Sequence, residues 1–267
     1  MLKKNRHSQI IEIMEKKNVI SIKELAQKTG CTEMTIRRNL DELEEMHFVV
    51  RHRGYATLLD SARPTDYYEQ KVERAGEKSA IAHAALSYIR EGSSICIDSG
   101  TTTQQLVEQI PDTYDLSVIT PSLTAAMVLS EKPNVQVMLP GGMLHHRNRS
   151  ILIEESALTD NYSVDIAFLS CRSLRIPGGT FEHSQTLTNT KRALAKIART
   201  RILLMDHSKW NVNSLCMTIP LGQIDLIITD TGAPMDQVRE AAALGKEIIL
   251  VDPETREIAG HLNPPSA

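Results

Sequence analysis

The chain has 267 residues, with 30 Lys and Arg against 33 Asp and Glu (formal charge -3), and 41% of it is hydrophobic. That length suits one large domain or a small one beside a medium one, with enough apolar residues for a true core. The charged opening "MLKKNRHSQI" and the lack of any run of 18 apolar residues argue against export and membrane insertion, so a cytoplasmic chain is expected.

The four cysteines, Cys31, Cys96, Cys171 and Cys216, lie far apart with no C-x-x-C pair, so free thiols are expected rather than a zinc knuckle or a disulfide framework. Charge is uneven along the chain. Residues 1–60 hold 11 Lys and Arg against 9 Asp and Glu, a balance of +2, and residues 61–267 hold 19 against 24, a balance of -5. A basic head on an acidic body suits a polyanion-binding module joined to one with another task.

The head reads as three helices and a hairpin. Ile10, Ile13 and Met14 recur at helical spacing, then Ile22, Leu25 and Ala26, then Ile36, Leu40 and Leu43. Ser21 and Glu24 form a capping box for the second helix, Gly30 stands where a left-handed residue ends it, and Thr32 caps the third. "FVVRHRGYATLL" then turns around Gly54 as a two-stranded wing. Domain boundaries are expected at 1–60 for the head, 61–75 for a polar linker containing Pro64, and 76–267 for the body.

In the body, "SICID", "LSVIT", "VQVML", "DIAFLS", "RILLMD", "DLIITD" and "EIILVD" read as buried strands. Helical patterns at 77–90, 102–110, 122–131, 187–199 and 235–244 alternate with them. This alternation predicts an α/β fold with a doubly wound, mostly parallel sheet, whose carboxyl strand ends are the usual place for a ligand.

With Ile36, Leu40 and Leu43 inward, a step of about 100° per residue turns Met34, Thr35 and Arg38 outward and puts Arg37 on the flank. Those residues, with Ser21 and Thr32 at the helix starts and Arg51 and Arg53 in the wing, are the candidate DNA contacts of a winged helix-turn-helix. The plainer alternative is that Arg37 and Arg38 pair with Asp41 and Glu42 four residues on. The stretch from Ser21 to Ala56 resembles the DNA-binding region of DeoR-family transcriptional regulators, whose pattern has a T-[IV]-R-R-D-L core and an R-x-x-G-G-A wing. The present chain departs from it at Asn39, His47 and Tyr55.

In the body, "DSGTTTQQL" joins a strand to a helix, and two readings stay open. Its backbone N–H groups and hydroxyls suit a phosphate, or it is a tight turn with a threonine cap. Gly141 and Gly142 in "PGG" permit close approach of a ligand or make a plain turn. Lys209 in "DHSK" meets a phosphate or pairs with Asp206, and Lys191 is expected at the positive end of a helix. His145, His146 and His183 lack the carboxylates or cysteines of a metal site and are expected at the surface, and no cofactor is implied.

The body resembles the DeoR sensor domain, which is similar in fold to ribose-5-phosphate isomerase. The resemblance implies a phosphorylated sugar or related metabolite as effector, with Ser99, Gly100, Thr101, Thr102 and Thr103 at its phosphate and Gly141, Gly142, Lys191, Asp206 and Lys209 around the rest. It also implies a repressor of a carbohydrate-utilisation operon whose affinity for double-stranded operator DNA the effector changes. So small a head needs a second copy to span two half-sites, so a homo-oligomer, dimer or tetramer, is expected, with no membrane partner. "FLSCRSL" departs most from the family at Ser170, Arg172 and Leu174. Two alternatives are an isomerase-like enzyme using Asp165 and Glu182 near Lys191, and a DNA-binding protein with an inert sensor.

Overall fold

The computed structural model describes residues 2–46, 48–58 and 67–262. His47 and the first part of the expected linker, 61–66, lie outside the described residues.

The head consists of α1 (Leu2–Lys16), β1 (Val19–Ser21), α2 (Ile22–Thr29), α3 (Glu33–Glu45), β2 (Val49–His52) and β3 (Tyr55–Leu58). Ser21 accepts a hydrogen bond from the Glu24 amide at 3.1 Å, and Thr32 accepts one from the Thr35 amide at 3.2 Å. Each cap satisfies a helix-start N–H that has no partner inside the helix. Gly30 ends α2 at φ 65, a left-handed conformation that costs glycine nothing. Ile10, Ile11 and Met14 of α1 share one core with Ile22, Leu25, Ile36, Leu40 and Leu43. The wing differs from its expectation: β1 joins it, giving a three-stranded sheet in the order β1-β3-β2. Three residues are too few to show an alternation, which is why "VIS" escapes a reading by period.

The rest of the chain is α4 (Tyr67–Val72), α5 (Ala75–Leu86), β4 (Ser94–Ile97), α6 (Thr101–Gln109), β5 (Leu116–Ile119), α7 (Leu123–Ser130), β6 (Val135–Met138), β7 (Met143–His145), β8 (Ser150–Leu152), α8 (Glu155–Thr159), β9 (Val164–Leu169), β10 (Ser173–Arg175), β11 (Gly179–Glu182), α9 (Gln185–Ile197), β12 (Ala198–Leu204), β13 (Cys216–Pro220), β14 (Leu226–Asp230), α10 (Met235–Ala243), β15 (Glu247–Val251) and β16 (Ile258–Leu262). The main sheet runs β16-β15-β14-β12-β9-β4-β5-β6 and is parallel except where β16 meets β15. All seven strands expected from the apolar runs lie in it. One apolar cluster, with Leu169, Leu194, Leu203 and Ile227, is separate from another with Ile81, Ile97, Leu106 and Ile228. Neighbouring strand residues such as Leu203 and Leu204, or Ile227 and Ile228, divide between the two, as the alternation of side chains across a covered sheet requires.

α4 lies within the stretch expected as linker. Tyr67 is buried, and Lys78 donates to the carbonyl of Glu73 at 2.7 Å and to that of Gln70, closing the carboxyl end of the helix. Burial pulls the Lys78 ammonium down to about 8. A six-residue helix with one apolar anchor has no period to read. Among the described residues no helix is long and apolar enough to cross a membrane.

From β4 the chain steps outward through β5 and β6, then returns to the other side of β4 with β9 and proceeds through β12, β14 and β15. The order therefore reverses between β4 and β9, and the loops after their carboxyl ends diverge and leave a crevice there.

Candidate nucleic-acid interface and sensor pocket

On α3 the phasing places Met34, Arg37 and Arg38 in solvent, and Arg38 is the more open of the two arginines at 73% against 52%. Thr35 is half-buried and shares a hydroxyl contact of 2.9 Å with Thr32. Arg38 lies 3.6 Å from Glu42, and Arg37 lies 3.6 Å from Glu33 on the preceding turn rather than from Asp41. Exposed pairs of this kind are worth well under about 1 kcal/mol and yield readily to a phosphate.

Arg51 differs from its expectation as an open DNA contact. Its guanidinium pairs with Asp41, and its amide donates to Glu44 at 2.7 Å, so it ties the wing to α3. Arg53 beside Gly54 is exposed, and Tyr55 stacks on His52 with ring centroids 4.5 Å apart. Asn39 is buried and donates to the Thr35 carbonyl at 2.6 Å.

The crevice between β4 and β9 holds a pocket lined by Ser99, Gly100, Thr101, Thr102, Arg172 and Lys209, among others. α6 begins at this pocket with Gly100 as its cap, which offers no side-chain hydrogen bond to the helix amides. α9 begins there too, with Ser184 accepting from the Leu187 amide at 3.3 Å. Two positive helix ends thus meet one cavity, the arrangement that backbone dipoles make for an anion. A Cβ on Gly100 would fall 2.2 Å from the Ser170 hydroxyl, so only glycine allows the two strand ends to approach so closely.

The floor of the pocket is a buried ionic cluster. Asp98 accepts from the Ser99 amide at 2.8 Å, the Ser170 amide at 3.0 Å, the Ser170 hydroxyl at 2.6 Å and Lys191 at 2.6 Å. Lys191 also lies 3.0 Å from Glu182, which accepts from the Arg172 amide at 3.1 Å. Burial pulls the Lys191 ammonium down, but Asp98 and Glu182 outweigh it and hold the group above its ordinary range. Lys191 therefore carries its own counter-ions and is a support of the floor rather than a free cation for a ligand.

Four further expectations change. Thr103 turns inward, donating to the carbonyls of Asp98 at 2.7 Å and Gly100 at 2.8 Å. Gly141 and Gly142 are not in the pocket wall; a Cβ on Gly142 would meet the Leu152 carbonyl at 2.1 Å, so that glycine lets β7 pack on β8. Asp206 lies beneath the pocket as the cap of the turn over His207–Lys209, accepting from the Ser208 amide at 3.0 Å. His183 is buried rather than superficial.

Several lining residues escaped the sequence reading as ligand contacts. His183 has an Nδ1 with no hydrogen-bond partner among the described residues, and burial, with Arg172 and Lys209 nearby, pushes its imidazole down to about 3. It is neutral at ordinary pH and offers one polar nitrogen to a hydroxyl. Arg172 lines the pocket and Leu174 is wholly in the core, so only the former of these two departures from the family pattern changes the cavity's charge. The Cys171 thiol, raised to about 12 by burial, is inert. His145 is half-buried in the wall and His146 is exposed; among the described residues no cluster of His, Cys, Asp and Glu is arranged to hold a metal ion.

Asp165 accepts from the Ser94 amide at 2.9 Å and the Ser94 hydroxyl at 2.6 Å, at the amino ends of β4 and β9. That is the end of the sheet opposite the pocket, so Asp165 is not a partner of Glu182 and Lys191 as the enzyme alternative requires.

Fold and site together define a helix-turn-helix module joined to an α/β domain with a pocket at the carboxyl ends of its strands. The chain belongs to the DeoR family of transcriptional regulators: residues 6–62 match the DeoR-like helix-turn-helix domain and residues 73–231 the DeoR C-terminal sensor domain. It is 33% identical to an uncharacterized HTH-type transcriptional regulator of Haemophilus influenzae, over 94% of this chain and 98% of that one. It is 29% identical to the glycerol-3-phosphate regulon repressor of Escherichia coli, over 88% of this chain and 94% of that one. Among solved structures, ribose 5-phosphate isomerase A of Methanocaldococcus jannaschii has a TM-score of 0.38 and 16% identity over 50% of this chain and 53% of that one. A likeness so distant bears on no activity.

Proposed function

We propose that the chain is a cytoplasmic transcriptional repressor that binds double-stranded operator DNA through α3 and the wing, and that a phosphorylated sugar or related metabolite in the body modulates this binding. The division into a head of residues 1–60, a connector at 61–75 and a sensing and oligomerising body at 76–267 is part of the reading, as is a dimer or tetramer. Two relatives support the repressor assignment by their names, those of the glycerol-3-phosphate regulon and the aga operon.

The observation that carries the effector reading is the convergence of two helix starts, those of α6 and α9, on one pocket that also holds Lys209 and Arg172. Ser99, Gly100, Thr101 and Thr102 suit the phosphate, with Lys209 beside it. Arg172 and the neutral His183 suit the remainder of the ligand.

Calorimetry of the full chain against a panel of sugar phosphates tests this. Thr102→Glu places a like charge at the phosphate position, and Lys209→Met removes a cation without burying one. Both variants are expected to weaken the ligand while leaving DNA binding intact. Silence of the wild-type protein across the panel, with normal operator binding, would support the inert-sensor alternative instead.

A further inference from the structure

α1 belongs to the head by its core contacts, yet its last turn rests on the body. The Arg147 guanidinium, in the turn between β7 and β8, donates to the Glu15 carbonyl. The Ser8 hydroxyl lies 3.2 Å from the Cys216 thiol, Leu215 packs against the head core, and the Asn213 amide donates to the Met46 carbonyl at 3.4 Å. This contact brings the Glu15 side chain into the wall of the same pocket as Ser99 to Thr102, Arg172 and Lys209.

A carboxylate is out of place there. Its Oε1 is buried with no hydrogen-bond partner among the described residues. Burial pushes the Glu15 carboxyl up to about 7, with Glu12 adding to the rise and Arg147 and Lys16 opposing it. A cavity whose helix ends and cations suit an anion thus contains, on the head side, the group that an anion would repel.

We infer that Glu15 and a phosphate-class anion exclude one another from the pocket, so that occupation lifts α1 off the body and frees the head. The inference rests on the reading of the pocket as a phosphate site. It gives the ligand unequal affinity for two arrangements of the chain, without which binding shifts nothing. Because α1 shares its core with α2 and α3, the recognition helix leaves with it.

The test uses the full chain at pH 8, where the Glu15 carboxyl is ionised, with inorganic phosphate as the probe. Glu15→Gln keeps the shape and the Arg147 contact, which goes to the backbone, and removes the charge. It is expected to bind phosphate about tenfold more tightly than the wild type, the scale of one like-charge contact near a surface. Glu12→Gln, outside the pocket wall, is expected to bind as the wild type does. Hydrogen exchange supplies the second readout: phosphate is expected to speed exchange at residues 213–216 in the wild type and to leave it unchanged in Glu15→Gln. Equal phosphate affinity of Glu15→Gln and wild type, with Lys209→Met weakening both, would overturn the inference and leave the pocket reading standing. Tighter binding without the change in exchange would overturn the lifting of α1. Failure of phosphate to bind either protein would overturn the pocket reading and the inference with it.

Discussion

Replacing Asp98 by alanine tests how the pocket is held. The carboxylate is almost wholly buried and accepts four hydrogen bonds, two from amides, one from Ser170 and one from Lys191. Removing one partner of a buried pair typically costs about 3–5 kcal/mol, because the other charge is left without compensation. Here Glu182, 3.0 Å from Lys191, still neutralises the ammonium, so the lower end, about 3 kcal/mol, is expected. The single tryptophan, Trp210, is buried in the body and reports on its unfolding without interference from the head. With a urea slope of about 2 kcal/mol per molar, the midpoint followed by Trp210 fluorescence is expected to fall by about 1.5 M. Asp98→Asn keeps the shape but not the charge and is expected to lie between. A shift below about 0.3 M in Asp98→Ala, with an unchanged slope, would refute the idea that this carboxylate organises the ends of β4 and β9.

In the head, Arg38→Ala is expected to weaken specific operator binding by about 1–3 kcal/mol and to relax sequence preference, as read by competition with random DNA. Equal losses on operator and random DNA would place Arg38 on a phosphate instead. Thr32→Ala removes the cap of α3 and is expected to lower the stability of the head by about 1 kcal/mol in a denaturation followed by helical circular dichroism; an unchanged midpoint would show the hydroxyl to be dispensable.

Caps and periods are local, and so they are legible. Ser21 and Thr32 as helix caps and the inward triad Ile36, Leu40 and Leu43 act within one or two turns of helix, and the structure has them as the residues alone imply, although the Glu24 carboxylate pairs with Lys17 and Lys28 instead of completing a capping box. Asn39, where the chain departs from the family pattern, is buried beside that triad by the same phasing.

The pocket has another logic. Asp98 and Lys191 are 93 positions apart, Glu182 and Arg172 meet on a hairpin of β10 and β11, and Glu15 comes from the other domain. The residues by themselves determined a helix-turn-helix head, a parallel α/β body and a small-residue turn after the first strand of the sheet, because hydrophobic spacing, cap chemistry and small-residue turns operate over a few positions. Only the tertiary structure decided that Lys191 spends its charge on Asp98 and Glu182, that Gly142 serves packing, and that His183 and Glu15 enter the cavity. Desolvation and ion pairing depend on which distant segments the sheet order brings together, and no local pattern encodes that.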